Sequence, residues 1–197
     1  EFEMQTAKEI QESFLPESWK SGQTWGNASQ WALPWLTETY VIHYRRDLLA
    51  QAGIAETEAF SSHEAIARTA AGLQAAGVPV PVEPLLELDV YGTLHCLASW
   101  VWTAGGHFCS SDGQRIQVNQ PKELQAIHDY FSLLQNLPPA ARRQIRERQS
   151  SLFVSGQAAM TFGTLRFYEN YSCAPPHVQE NWGLAPLPGM HFMGGSN

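Results

Sequence analysis

The spacing of apolar positions changes period several times along the chain, and each change marks an element. Residues 39–44 (TYVIHY) are β-branched or aromatic almost throughout and too few for a helix, the pattern of a buried strand. Residues 45–52 follow as a short helix with Leu48 and Leu49 on its apolar side, stopped at Gly53. Upstream, Met4, Ala7, Ile10 and Phe14 recur at helical spacing until Pro16. A polar, glycine-containing loop with three tryptophans, residues 19–31, then leads towards the strand. Downstream, Ser61 and Ser62 cap a helix through Ala76 whose face is Ile66, Ala70 and Leu73, closed by Gly77. Residues 78–82 (VPVPV) are β-branched but broken by two prolines, which confines them to a sheet edge.

In the second half, Asp89 is the expected N-cap of a helix through Thr103, with Leu94, Leu97 and Val101 inward and Gly105 and Gly106 ending it. Residues 110–113 (SSDG) make a turn between short extended segments. Pro121 opens a helix with the stripe Leu124, Ile127, Phe131 and Leu134, stopped by Pro138 and Pro139. A further helix over 140–154 ends at Gly156. Residues 158–162 (AAMTF) read as a buried strand, followed by Gly163 and a helix containing Leu165, Phe167 and Tyr171; residues 182–185 form a last short strand before PLPG. Strands alternating with helices define an α/β fold: a mixed, partly parallel sheet covered by helices.

Composition narrows the function. A hydrophobic share of 44% over 197 residues supports an ordinary core. The net charge of -7 argues against nucleic acid as a partner. The one basic run, 142–148, contains Glu147 and Ile145 and reads as a solvated helix face. No window approaches the roughly 20 apolar residues of a membrane span. Three cysteines, Cys96, Cys109 and Cys173, leave at least one thiol; a Cys96–Cys109 bridge and three free thiols both fit the count.

No nucleophile elbow, phosphate loop, dinucleotide fingerprint or zinc-protease helix is present, so neither an enzyme nor a bound cofactor is expected. His95, Cys96, His107 and Cys109 are the one cluster with metal-ligand side chains. Adjacent helical positions 95 and 96 point to different sides, so no metal is expected there. What remains is flat aromatic surface beside turns, with a few acids and amides. Sugars need this combination, because the C–H face of a pyranose packs on a ring while carboxylates and amides meet its hydroxyls.

The motifs LPWLTETYVIHYRRDLLAQAGI, WVWTAGGHFCSSDGQRIQVNQPKELQAI, SLFVSGQAAMTFG, NWGLAPLPG and GGSN, in that order, resemble the family 1 extracellular solute-binding proteins of ABC importers. The resemblance implies a periplasmic-binding-protein-like (type II) fold of two α/β lobes joined by crossing strands, with a ligand, usually a sugar, in the cleft between them. It implies that residues 1–38 are a remnant of the first lobe and the first crossing, 39–190 the second lobe, and 191–197 the start of the second crossing. Ligand contacts then fall to Trp35 and Glu38 at the first crossing, Asp89 and Tyr91 at the start of a helix, Gly163 and Arg166 in the loop after a strand, and Gly194 at the second crossing. Partners implied are a sugar and an ABC permease, and the location is extracellular or periplasmic. The same fold also serves as a ligand-sensing module of larger regulators, which would be cytoplasmic. Three positions depart from the family pattern. Phe60 to His63 replaces a Pro-Xaa-Thr-Trp helix start, Tyr44-Arg45 replaces Tyr-Asn, and Leu165, Arg166 and Phe167 stand where a sugar-stacking tryptophan is found. Maltose-like specificity is therefore not part of the expectation.

Overall fold

A computed structural model describes residues 7–14, 16–23, 29–33, 39–84, 90–135, 137–147 and 151–189. Its centre is a four-stranded sheet built from β1 (Tyr40–Arg45), β2 (Val80–Glu83), β3 (Ala158–Thr164) and β4 (Trp182–Pro186), in the order β2-β3-β1-β4. β1 is antiparallel to both β3 and β4, while β2 and β3 are parallel. The partly parallel sheet expected from the alternation of elements is thus present, and the proline-broken β2 lies at its edge, where a missing N–H costs no ladder bond.

The pleat of β1 sorts side chains to two faces. Ile42 pairs with Phe162 and Tyr44 with Met160 on one face, which packs on three helices, α5 (His63–Ala75), α6 (Val90–Thr103) and α7 (Pro121–Ser132), through Ile66, Leu73, Trp100 and Tyr130. On the other face lie Leu152, Phe153, Val178 and Trp182, covered by the 3-10 helix Leu165–Cys173 and by α9 (Pro176–Gln179). The remaining short helices are α1 (Ala7–Glu12) and α2 (Pro16–Ser21) before the sheet, α3 (Arg46–Gln51) and α4 (Glu56–Ala59) after β1, and α8 (Pro139–Glu147). α5 starts where expected: the Ser62 hydroxyl accepts the Ala65 N–H at 3.1 Å.

Several local expectations shift. On α6, Leu94 is exposed, and Cys96, Trp100 and Val101 point inward. On α7 the buried stripe is Glu123, Ala126 and Tyr130, one position from the expected Leu124, Ile127 and Phe131. Both stripes have helical spacing, so periodicity alone does not choose between them. The choice is made by Glu123, whose carboxylate accepts the His107 N–H at 3.0 Å, and by Tyr130, whose ring packs edge-on to Trp100 and whose hydroxyl donates to the Cys96 sulfur at 3.5 Å. The helix expected over 140–154 ends as α8 at Glu147. Leu152 and Phe153 then lie buried in a turn, because the Glu83 carboxylate takes their N–H groups at 2.9 and 2.8 Å. Of the tryptophan-rich loop, Trp19 is buried on α2 against Phe14, and Trp31 is exposed.

Candidate functional site at the carboxyl edge of the sheet

Because β2, β3 and β4 run one way and β1 the other, one edge of the sheet collects the carboxyl ends of β2, β3 and β4 and the amino end of β1. In open α/β sheets, ligands bind in the crevice outside the carboxyl ends of the strands, where loops present side chains and backbone groups. Here the edge is formed by Glu83, Thr164, Pro186 and Tyr40, with Thr39 just before β1.

The expected site residues map onto this frame unequally. Gly163 is the penultimate residue of β3, paired with Val41. A Cβ there would lie 3.1 Å from Phe167 Cβ and 3.4 Å from His43 Cδ2, a tight fit against Phe167 beneath the edge. Arg166 is the second residue of the 3-10 helix; it is exposed, with Nε 3.5 Å from Oε1 of Glu169. Tyr91 lies in the first turn of α6, the next element after β2. Trp35, Glu38, Asp89 and Gly194 lie outside the described residues. In sequence, Glu38 directly precedes Thr39 and Asp89 directly precedes α6.

Beneath the edge sits a group that strand pattern alone treats as one more buried position. His43 is fully buried in the middle of β1, edge-on to Phe153, Phe167 and Trp182 at centroid distances of 6.4, 4.9 and 5.7 Å. The Trp182 indole N–H donates to His43 Nδ1 at 3.1 Å, and His43 Nε2 lies 3.1 Å from the Thr164 carbonyl oxygen. An indole only donates and a carbonyl only accepts, so the ring is neutral with its proton on Nε2. Burial lowers its pKa to about 4, against a smaller opposite effect of the Thr164 bond. The signal in sequence was a lone histidine inside an otherwise apolar strand.

Glu83 is a buried carboxyl group at this edge. Burial pushes its carboxyl up, opposed by the N–H groups of Phe153 and Leu152 and the Ser151 hydroxyl that it accepts. These bonds make it an anchor for the 151–156 turn. Among the described residues no three His, Cys, Asp or Glu side chains converge to hold a metal, and none of the three cysteines is in a disulfide. A pocket of about 260 Å³ lined by Ala67, Ala70, Gln74, Pro81, Leu133 and Leu137 contains none of the expected site residues. No helix among the described residues is long and apolar enough to cross a membrane.

The sheet, with one reversed strand beside three that open on a common edge and helices on both faces, has the fold of a periplasmic-binding-protein-like lobe. Solved proteins of that fold superpose on most of the chain. Maltose-bound MalE3 of T. maritima is 21% identical with a TM-score of 0.62, covering 92% of this chain and 46% of its own. An ABC transporter solute-binding protein of Thermotoga lettingae bound with alpha-D-tagatose is 17% identical with a TM-score of 0.68, covering 91% and 46%. In sequence, a protein of Deinococcus radiodurans named "Probable ABC transporter-binding protein" is 28% identical over 131 residues, 65% of this chain and 31% of the relative. The chain therefore spans about a third of that relative and less than half of the solved proteins. No family model matches the chain.

Proposed function

We propose that the chain is a non-catalytic carbohydrate-binding lobe of an ABC-transporter solute-binding protein, its ligand held between this lobe and a second one. The observation that carries the reading is the meeting, at one open sheet edge, of the amino end of β1, the end of β3 and the start of the 3-10 helix. The amino end of β1 follows Glu38, the end of β3 holds Gly163, the 3-10 helix presents Arg166, and α6 begins at Tyr91's turn. The relatives' names support the same reading: a maltose-bound protein, one bound with alpha-D-tagatose and an ABC transporter solute-binding protein with bound D-mannitol.

In this reading residues 1–38 belong to the first lobe and crossing, 39–190 form the second lobe, and 191–197 begin the return. Trp35 and Tyr91 supply stacking faces, Glu38 and Asp89 accept from hydroxyls, Arg166 donates, and Gly163 and Gly194 give close backbone approach. The partners are a sugar or sugar alcohol and an ABC permease, and the location is extracellular or periplasmic. Lobe closure on the ligand is the output, so no residue acts as acid, base or nucleophile.

A thermal-shift screen over maltose, D-tagatose and D-mannitol tests it. A sugar at 100 times its dissociation constant stabilises the folded chain by about 2.7 kcal/mol if it binds only that state. The reading fails if no sugar shifts the transition while an amino acid or polyamine does. For the bound sugar, Glu38→Gln is expected to weaken affinity about tenfold or more, as loss of a charge-assisted hydrogen bond requires. Unchanged affinity removes Glu38 from the site.

A further inference from the structure

Resting on the proposed sugar site, the structure adds a residue that touches no ligand yet governs the site's shape. We propose that His43 is a positioning residue, which holds the turn from Gly163 to Arg166 in its ligand-presenting form through the Thr164 carbonyl, with Trp182 holding the imidazole in the required tautomer.

Four observations converge on it. Thr164 is the N-cap residue of the 3-10 helix that carries Arg166, and its own side chain makes no capping bond. The carbonyl of that residue is met at 3.1 Å by His43 Nε2, a side chain of the neighbouring strand. The next N–H, of Leu165, donates at 3.2 Å to the carbonyl of Thr39, so the one peptide unit between Thr164 and Leu165 is held on its carbonyl side by β1 and on its N–H side by the residue just before β1. Finally, the ring reaches Thr164 by passing Gly163, where a Cβ would crowd Phe167 and touch His43. A side chain that bonds a carbonyl three residues beyond its register partner, Thr161, is fixing the exit of β3 and not its ladder.

Trp182 completes the device. Its indole N–H occupies Nδ1, which leaves Nε2 as the one nitrogen able to carry a proton to Thr164. A doubly protonated ring would set two N–H donors against each other at Nδ1 and break the contact. A ring flipped to the other tautomer would present a lone pair to the Thr164 oxygen. Trp182 also packs on Phe167, Tyr168 and Tyr171 of the same 3-10 helix, at centroid distances of 6.0, 5.4 and 5.8 Å, so the helix that starts at the turn is held along its length by the same residue. Leucine or valine at position 43 would fill the strand equally well, and would leave the Thr164 carbonyl without this donor.

The test is amide hydrogen exchange by NMR on the labelled chain, with maltose and D-mannitol as binding probes. His43→Leu is expected to speed exchange at Leu165, Arg166 and Phe167 about tenfold, the loss of roughly one hydrogen bond, while the β1–β3 ladder keeps its protection. His43→Gln, whose amide offers an NH2 donor to Thr164 and a carbonyl acceptor to Trp182, should restore most of it, and maltose or D-mannitol affinity should fall and recover in parallel. Unchanged exchange at 165–167, or an equal rise across the ladder, overturns the proposal. So does unchanged sugar affinity in a His43→Leu chain whose turn has loosened. If the wild-type chain binds neither sugar, the exchange data still decide the role of His43. Should His43→Leu not fold, the ring nitrogens of the wild-type chain and of Trp182→Phe decide: an Nε2–H tautomer near neutral pH that becomes mixed in Trp182→Phe supports the proposal, and an Nδ1–H or charged ring in the wild type overturns it.

Discussion

At the scale of single residues, the imidazole of His43 makes stability depend on acid. Its folded pKa of about 4 lies below the usual 6.5, chiefly through burial, so between these values the unfolded chain binds the proton more readily. The contribution is complete above pH 6.5 and is lost as the pH falls towards 4. Urea unfolding followed by tryptophan fluorescence should show a loss on the order of 3 kcal/mol across that window. Glu83 works in the opposite sense, since burial raises its pKa and its neutral form is favoured at low pH. Asp47, which burial alone would push up but Arg45 holds below the usual 3.8, adds acid lability only lower still. The decisive comparison is therefore His43→Gln, which cannot titrate: an undiminished slope in that variant would show that another group is responsible. Gly163 belongs to the same scale. Gly163→Ala adds a methyl against Phe167 and His43 and is expected to cost about 1–3 kcal/mol by chemical denaturation. A neutral effect there would mean that the turn above His43 gives way.

Elements differ in how much of them local pattern specifies. α5 was legible to its cap: two serines, a helical stripe and a closing glycine at positive φ all appear where the residues place them. Ser62→Ala should cost about 1 kcal/mol in urea unfolding, because it strands the Ala65 N–H. The 151–156 turn was not legible, since its apolar run suits a helix equally well. Glu83, distant in sequence, decides it by accepting the N–H groups of Leu152 and Phe153. Glu83→Ala leaves both of these donors buried, and a cost of about 3 kcal/mol or more is expected, with Glu83→Gln milder because one acceptor remains. Equal stability of Glu83→Ala and wild type would refute the anchoring role. α7 shows a third case, in which two stripes of equal period compete and tertiary contacts, the His107 N–H bond accepted by Glu123 and the packing and hydrogen bond of Tyr130, turn the helix by one position.

Over the whole molecule, local pattern determined that the chain is α/β, that its first strand is buried between two helical segments, and that the proline-broken strand lies at an edge. These follow from side-chain period, β-branching and the missing proline N–H, all properties of neighbouring residues. Motif order added the solute-binding resemblance and with it a set of contact positions, of which Gly163 and Arg166 belong to elements at the sheet's carboxyl edge. Tertiary structure decided what neighbouring residues cannot encode. Strand direction brought three carboxyl ends to one side, a choice made by pairing between segments far apart in the chain. Gly163, a contact expected by resemblance, was found packed closely on Phe167 beneath the edge, and His43 changed from a strand residue to the support of Thr164. Both depend on which strand lies beside β1, because a buried polar group takes its meaning from the partner it finds, and here the partners of residue 43 are residues 164 and 182.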